Sequence, residues 1–133
     1  MATEFKRVTM ADVPTTALPN TTNANSDLYR PAATVDTVVI GLLLTNTSAS
    51  SVTADVGVIP QDNTEGPTNA STQENFTYLI KGAQIPVGSA LEIISGKVVI
   101  ANTTGTGSSG DILCVRASLA ASLDATVSVL ENT

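Results

Sequence analysis

The chain has 133 residues, enough for one domain with a real core, and its twelve carboxylates against six Lys and Arg give a net charge of −6. That balance argues against nucleic acid and anionic membrane as partners, since both require a basic patch, and only Lys6-Arg7 places two cations side by side. Histidine is absent, which removes Ser-His-Asp and Cys-His catalysis and nearly every zinc or copper site.

Burial must come from small residues. Only Phe5, Tyr29, Phe76 and Tyr78 are aromatic, whereas Ser, Thr and Asn number 12, 20 and 9. Leu, Ile and Val carry the apolar content, a composition that suits two thin sheets packed face to face. The longest apolar run, Val38 to Leu44, is strand length and falls far short of the roughly 20 residues of a membrane span. No apolar run follows Lys6-Arg7 as a signal peptide would demand, so a cytosolic origin is expected. The five Asn-x-Ser/Thr triplets, at Asn20, Asn46, Asn69, Asn75 and Asn102, then read as chance in a chain this rich in Asn and Thr.

In chain order, residues 1–27 read as an extended N-terminal arm. Its "EFKRVTM" segment can form a short strand anchored by Phe5 and Val8, and the Pro14-Pro19 stretch that follows lacks any periodicity. Residues 28–133 read as a β-domain. "SDLYR" is a short strand stopped by Pro31. Thr34 to Asn46 is apolar on both faces, with Val38, Ile40, Leu42 and Leu44 expected on one and Val35, Val39 and Leu43 near the other. Val52, Ala54, Val56 and Val58 alternate with Thr53, Asp55 and Gly57 as a half-buried strand. After Pro60 comes a long polar loop at 61–75, in which Asp62, Asn63 and Glu65 offer oxygen ligands without calcium-loop spacing.

Phe76 to Ile85 is the next strand, followed by Leu91 and Ile93, a tight hairpin at "SGK", and Val98 and Ile100. Gly105, Gly107 and Gly110 spell the G-x-G-x-x-G fingerprint of dinucleotide loops, which works only where a helix leaves the turn. Here Leu113, Val115 and Ala117 alternate with Arg116 and Ser118, a strand period, so a hairpin connection is expected. Cys114 lies in this run as a small buried filler. The last strand is Leu123 to Glu131. The fold class is therefore all-β: an antiparallel β-sandwich or jelly roll of about eight strands. "GSALEIISGK" is no phosphate loop, because Leu91 stands where its first glycine belongs. No enzyme, cofactor or metal is expected.

Several motifs occur in a recognisable order: Leu28-Tyr29-Arg30-Pro31-Ala32-Ala33, the apolar strand ending at Asn46, "YLIKGAQIPVGSALEIISGKVVI" from Tyr78 to Ile100, Gly110-Asp111, and "TVSVLE" from Thr126 to Glu131. In that order they resemble a type of small virion protein of bacteriophages, including phages of cyanobacteria. The likeness leaves out the arm and departs at Ala32-Ala33, where glycine is usual, and in the longer glycine loop. It implies a β-sandwich without catalytic residues that decorates or joins parts of a particle in the virion, assembled in the host cytoplasm. The expected role is a capsid decoration or cement protein, a homotrimer bound to the major capsid protein. The alternatives are a tail, neck or fibre subunit, or a carbohydrate-binding sandwich using Tyr29, Phe76 and Tyr78. For partner contact the sequence offers Phe5, Lys6, Arg7, Val8 and Leu18 in the arm, and the loop at 61–75.

Overall fold

A computed structural model describes residues 3–15, 18, 27–59, 76–94, 98–102 and 110–132. Nine strands account for most of them: β1 (Thr3–Met10), β2 (Asp27–Tyr29), β3 (Val35–Asn46), β4 (Val52–Ile59), β5 (Thr77–Ile85), β6 (Ala90–Ile94), β7 (Val98–Asn102), β8 (Ile112–Ala117) and β9 (Leu123–Asn132). They form two antiparallel sheets, one ordered β1-β9-β3-β6 with β7 also on β3, the other β2-β8-β4-β5. Among the described residues there is no helix. The architecture is all-β and consistent with a β-sandwich.

The pairs nest: β1 with β9, β2 with β8, β3 with β6 and β7, and β4 with β5. One long hairpin, bent so that its halves stack, has this connectivity. The two sheets share a core. Val39, Leu42, Leu44, Val127 and Val129 from the first meet Val52, Ala54, Val56, Val115 and Ala117 from the second, all at most 1 % exposed. These side chains are short or branched near the backbone, so they fill a thin layer between pleated surfaces without large rings. A smaller cluster of Ile59, Ile112 and Cys114 extends it, with Leu18 and Phe76 packed alongside.

The alternation of β8, β9 and the first part of β4, through Val56, places the expected residues inside; at its end β4 departs from the expected half-buried pattern, with Gly57 and Ile59 buried and Val58 half-buried. β3 does not follow a single period. Its register with β9 slips between Val39 and Gly41, so Ile40 is the extra residue of a bulge. Beyond it the phase reverses, and the buried set is Val35, Thr37, Val39, Leu42 and Leu44, while Val38, Ile40 and Leu43 turn outward. The expected grouping of Val38 and Ile40 with Leu42 and Leu44 is thereby corrected, because one inserted residue moves every later side chain to the opposite face.

A second correction concerns "SGK". The strands on either side of it do not form a hairpin with each other. β6 and β7 both run antiparallel to β3 along the same edge, with Ile94 opposite Leu42 and Val98 opposite Val39. Residues 95–97 between them lie outside the described residues. At 12 residues β3 is long enough to pair with both.

The segment expected as an arm is, over residues 3–15, joined to the sandwich. β1 pairs with β9 from Thr3↔Asn132 to Met10↔Ala125. Val13 is fully buried and donates its N–H to the Leu123 carbonyl at 2.8 Å, and the Pro14 carbonyl accepts from the Ala117 N–H at 2.9 Å. Val8 and Met10 pack on the core. These apolar side chains supply the burial that holds the segment down, while the carbonyls and amides beside them gain partners.

Asn46 closes a corner of the fold. Its amide donates to the Ser50 and Ile85 carbonyls at 2.8 and 2.9 Å, and its oxygen accepts from the Ser48 N–H and hydroxyl at 2.9 and 2.8 Å. This saturated side chain, 4 % exposed, is structural, in accord with reading its glycosylation triplet as chance.

The bulge sets a measurable contrast between neighbours. Leu42→Ala is expected to cost roughly 2–5 kcal/mol, as deletion of a buried leucine does. Leu43→Ala, on the outer face, is expected to cost under about 1 kcal/mol. Urea midpoints of the two variants at unchanged slope give the comparison, and equal losses contradict the phase reversal.

Candidate docking edge and outer sheet face

β1 occupies the rim of the first sheet and divides the sequence-predicted contact residues between two sides. Directly opposed residues of an antiparallel pair share a face. Val8 stands opposite buried Val127, so the even-numbered residues of β1 turn toward the core side and the odd-numbered ones outward. Phe5 and Arg7 therefore project from the outer face, Phe5 with 77 % of its surface exposed. Lys6 and Val8 face the other way. Leu18 lies apart from all four, against the small cluster at Ile59 and Ile112. The loop at 61–75, with Asp62, Asn63 and Glu65, lies outside the described residues.

Lys6 is engaged within the chain. Its ammonium lies 2.7 Å from Glu131 Oε1 and 3.9 Å from Glu4 Oε2. Glu131, 8 % exposed, also accepts from the Tyr29 hydroxyl at 2.5 Å through Oε2, and that hydroxyl is 2.9 Å from Thr37 Oγ1. Tyr29 belongs to β2 of the second sheet, whereas Lys6, Thr37 and Glu131 belong to β1, β3 and β9 of the first. The phenol thus bolts one sheet to the other through a carboxylate that also holds the rim strand. A buried charge of this kind is tolerable because it is both paired and hydrogen-bonded.

The pKa values follow from this geometry. Burial, reinforced by donation to Glu131, pushes the Tyr29 phenol well above its usual value. Burial alone would raise Glu131, but its hydrogen bonds from Lys6 and Tyr29, with the Lys6 charge, outweigh that and hold it below its ordinary 4.5. The hydrogen bond and charge of Glu131 raise Lys6.

The outer face of the first sheet carries an apolar stripe that no single segment of sequence displays. Phe5 stands opposite Leu130, Leu130 opposite Val38, and Val38 opposite Val99. One residue from each of β1, β9, β3 and β7 thus lines up across about 14 Å, given a strand spacing of about 4.8 Å. Val99 is 65 % exposed, and Ile40 and Leu43 add 40 % and 41 % exposed side chains beside the stripe. A shallow depression of about 250 Å³, lined by Gly41, Leu42, Leu43, Glu92, Thr126 and Ser128, opens next to it. Sequence reasoning found Phe5 but missed Leu130, Val38 and Val99 as its neighbours.

The rings considered for sugar stacking are arranged otherwise than a flat platform. Tyr29 is buried in the polar cluster. Phe76 and Tyr78 meet edge to face, centroids 4.8 Å apart and planes at 84°. Phe76 lies over Gly57, where an added Cβ would fall 2.7 Å from ring atom Cε1 and 2.8 Å from the Thr77 carbonyl oxygen. Lys81 Nζ sits 5.0 Å from the centre of the Tyr78 ring.

Elsewhere the chemistry is structural. Arg116 pairs with Asp55 at 3.4 Å, joining β8 to β4, and donates from Nε to the Thr15 carbonyl at 3.1 Å. Cys114 is fully buried, as expected from its place in an alternating run. The chain leaving Gly110 is β8, the strand that alternation predicts, where a dinucleotide loop would need a helix; the expected hairpin connection is corrected, since β7 pairs in the first sheet and β8 in the second. Among the described residues no group of three or more His, Cys, Asp or Glu side chains could hold a metal ion. No helix among them is long and apolar enough to cross a membrane.

Comparison with protein-family models, with curated proteins and with solved structures finds no match for the chain.

The cluster around Glu131 makes stability depend on pH at both ends. Tyr29 and Lys6 have raised pKa values, so their contribution is complete below the usual phenol and ammonium values near about 10 and is lost as pH climbs past them. Glu131 has a lowered pKa, so its contribution is present above its ordinary value and is lost as pH falls below that value. Tyr29→Phe is expected to cost about 1–3 kcal/mol at neutral pH, by stripping a hydrogen bond from a buried carboxylate. It should also flatten the alkaline limb of stability against pH, measured by urea unfolding between neutrality and high pH.

Proposed function

We propose that this chain is a structural protein of a phage virion, with capsid decoration as its role: it binds the outer surface of the major capsid lattice and braces it. The observation that carries this reading is the order of the sequence motifs, from Leu28-Tyr29 through "YLIKGAQIPVGSALE" to "TVSVLE". Physical features of the fold support it. We count β6 and β7 together as one strand along β3, and on that count the nested pairs suit an eight-stranded jelly roll, an architecture common among viral coat proteins.

The outer face also suits adhesion. An apolar stripe set among hydroxyl-rich residues is the kind of exposed patch that marks a contact surface. A modest contact becomes firm attachment when a particle repeats it by symmetry, because each anchored copy raises the effective concentration of the next contact. Acidic net charge keeps such a protein off packaged DNA.

Particles prepared with and without the chain test the reading. Density over the capsid lattice in electron micrographs, present in hundreds of copies, is the expected result; roughly a few dozen copies at one vertex instead assigns the chain to tail or neck. Val99→Asp, at a strongly exposed position, should leave stability within about 0.5 kcal/mol. The same change should lower occupancy on particles at fixed protein concentration, measured by quantitative gel.

A further inference from the structure

The open edge of β1 is complementary to itself in one register only. Among the described residues β1 pairs with β9 on one side and stands at the end of its sheet, so its other edge presents backbone groups that none of them pairs, a template for one more strand. From these features the geometry points to a second copy of this chain as the occupant: two β1 strands joined antiparallel about a twofold axis through Phe5, making one continuous sheet across two molecules.

The register follows from charge and face. A twofold axis perpendicular to the sheet keeps both outer faces on the same side, so a residue of odd number must oppose another of odd number. Centring on Glu4 opposes Glu4 to itself, and centring on Lys6 opposes Lys6 to itself. Centring on Arg7 opposes that guanidinium to its own copy. Centring on Phe5 places Glu4 opposite Lys6 of the second copy, twice by symmetry, and Thr3 opposite Arg7. Only this alignment meets opposite charges with opposite charges. It also stacks Phe5 on its symmetry mate, so the two stripes from Val99 through Val38 and Leu130 to Phe5 merge into one band eight strands wide.

The interface is isologous: each copy offers the same patch, and the contact closes at two. Its ladder spans Thr3 to Arg7 in each chain, which is short. Such a contact belongs to the weak class of small interfaces, below roughly 1,200 Å². This twofold uses the β1 edge alone and is a different contact from the threefold association expected from the sequence. It is independent of the virion reading: it forms in free solution, so failure to bind particles leaves it intact, and a monomer that decorates capsids leaves that reading intact.

Sedimentation velocity over a concentration series tests the association, with cysteine cross-linking fixing the register. The wild-type chain is expected to shift from monomer to dimer, less readily at high salt, where the ion pairs are screened. Glu4→Lys, which leaves the Lys6–Glu131 pair in place, should weaken self-association by roughly tenfold, since two attractive pairs become repulsive. Phe5→Cys, at an exposed position that folding does not depend on, should form a disulfide-linked dimer on mild oxidation. Thr3→Cys and Arg7→Cys should not link to themselves but should link to each other. A wild-type chain that stays monomeric throughout the series overturns the proposal. So does self-linking of Arg7→Cys with no linking of Phe5→Cys.

Discussion

The register between β3 and β9 is the constraint on which the rest of the molecule depends. It runs from Asp36↔Asn132 to Asn46↔Leu123 and is interrupted once, at Ile40. That pairing decides which side chains of both strands enter the core. It also fixes the edge of β3 available to β6 and β7, and carries β1 on the far side of β9. A different slip would turn Leu42, Leu44, Val127 and Val129 to solvent and remove most of the layer that the second sheet packs against. Apart from Tyr29 the main core cluster is built of aliphatic side chains packed closely, so tolerance to such a slip is small.

Two kinds of contact secure this arrangement. The thin apolar layer contributes most of the free energy and specifies little, since Val, Ile and Leu are interchangeable in outline. Specificity comes from a few polar groups. Tyr29 fixes the position of β2 against β1, β3 and β9 through Glu131 and Thr37, and Asn46 locks the corner leaving β3 with four hydrogen bonds. An apolar substitute at either site would fill space but could not distinguish one placement of the sheets from another.

How much of this is legible in the sequence depends on the range of the information needed. β4, β8 and β9 are readable because alternation is local: Val52, Ala54 and Val56, or Leu123, Ala125, Val127 and Val129, announce their own faces. β3 is misread because a bulge leaves no signature when the residues on both faces are apolar; Ile40-Gly41 looks like any other step. The expected hairpin at "SGK" is misread because the alternation of β6 and β7 fits two strands paired with each other as well as two segments laid along one edge of β3. The stripe could not be found at all from pattern. Phe5, Leu130, Val38 and Val99 are neighbours only through three strand pairings that bring the two ends of the chain together. The same holds for Tyr29 and Glu131, 102 residues apart, whose motifs "LY" and "LE" give no hint that one donates a hydrogen bond to the other.

Cys114, the sole thiol of the chain, is sealed between strands of the second sheet with none of its surface exposed. Alkylating reagents can reach it only when β8 separates from its neighbours, so the speed of its modification is a built-in clock for breathing of the interior. Slower modification in the presence of a binding partner than in the isolated chain would measure how firmly that partner clamps the fold.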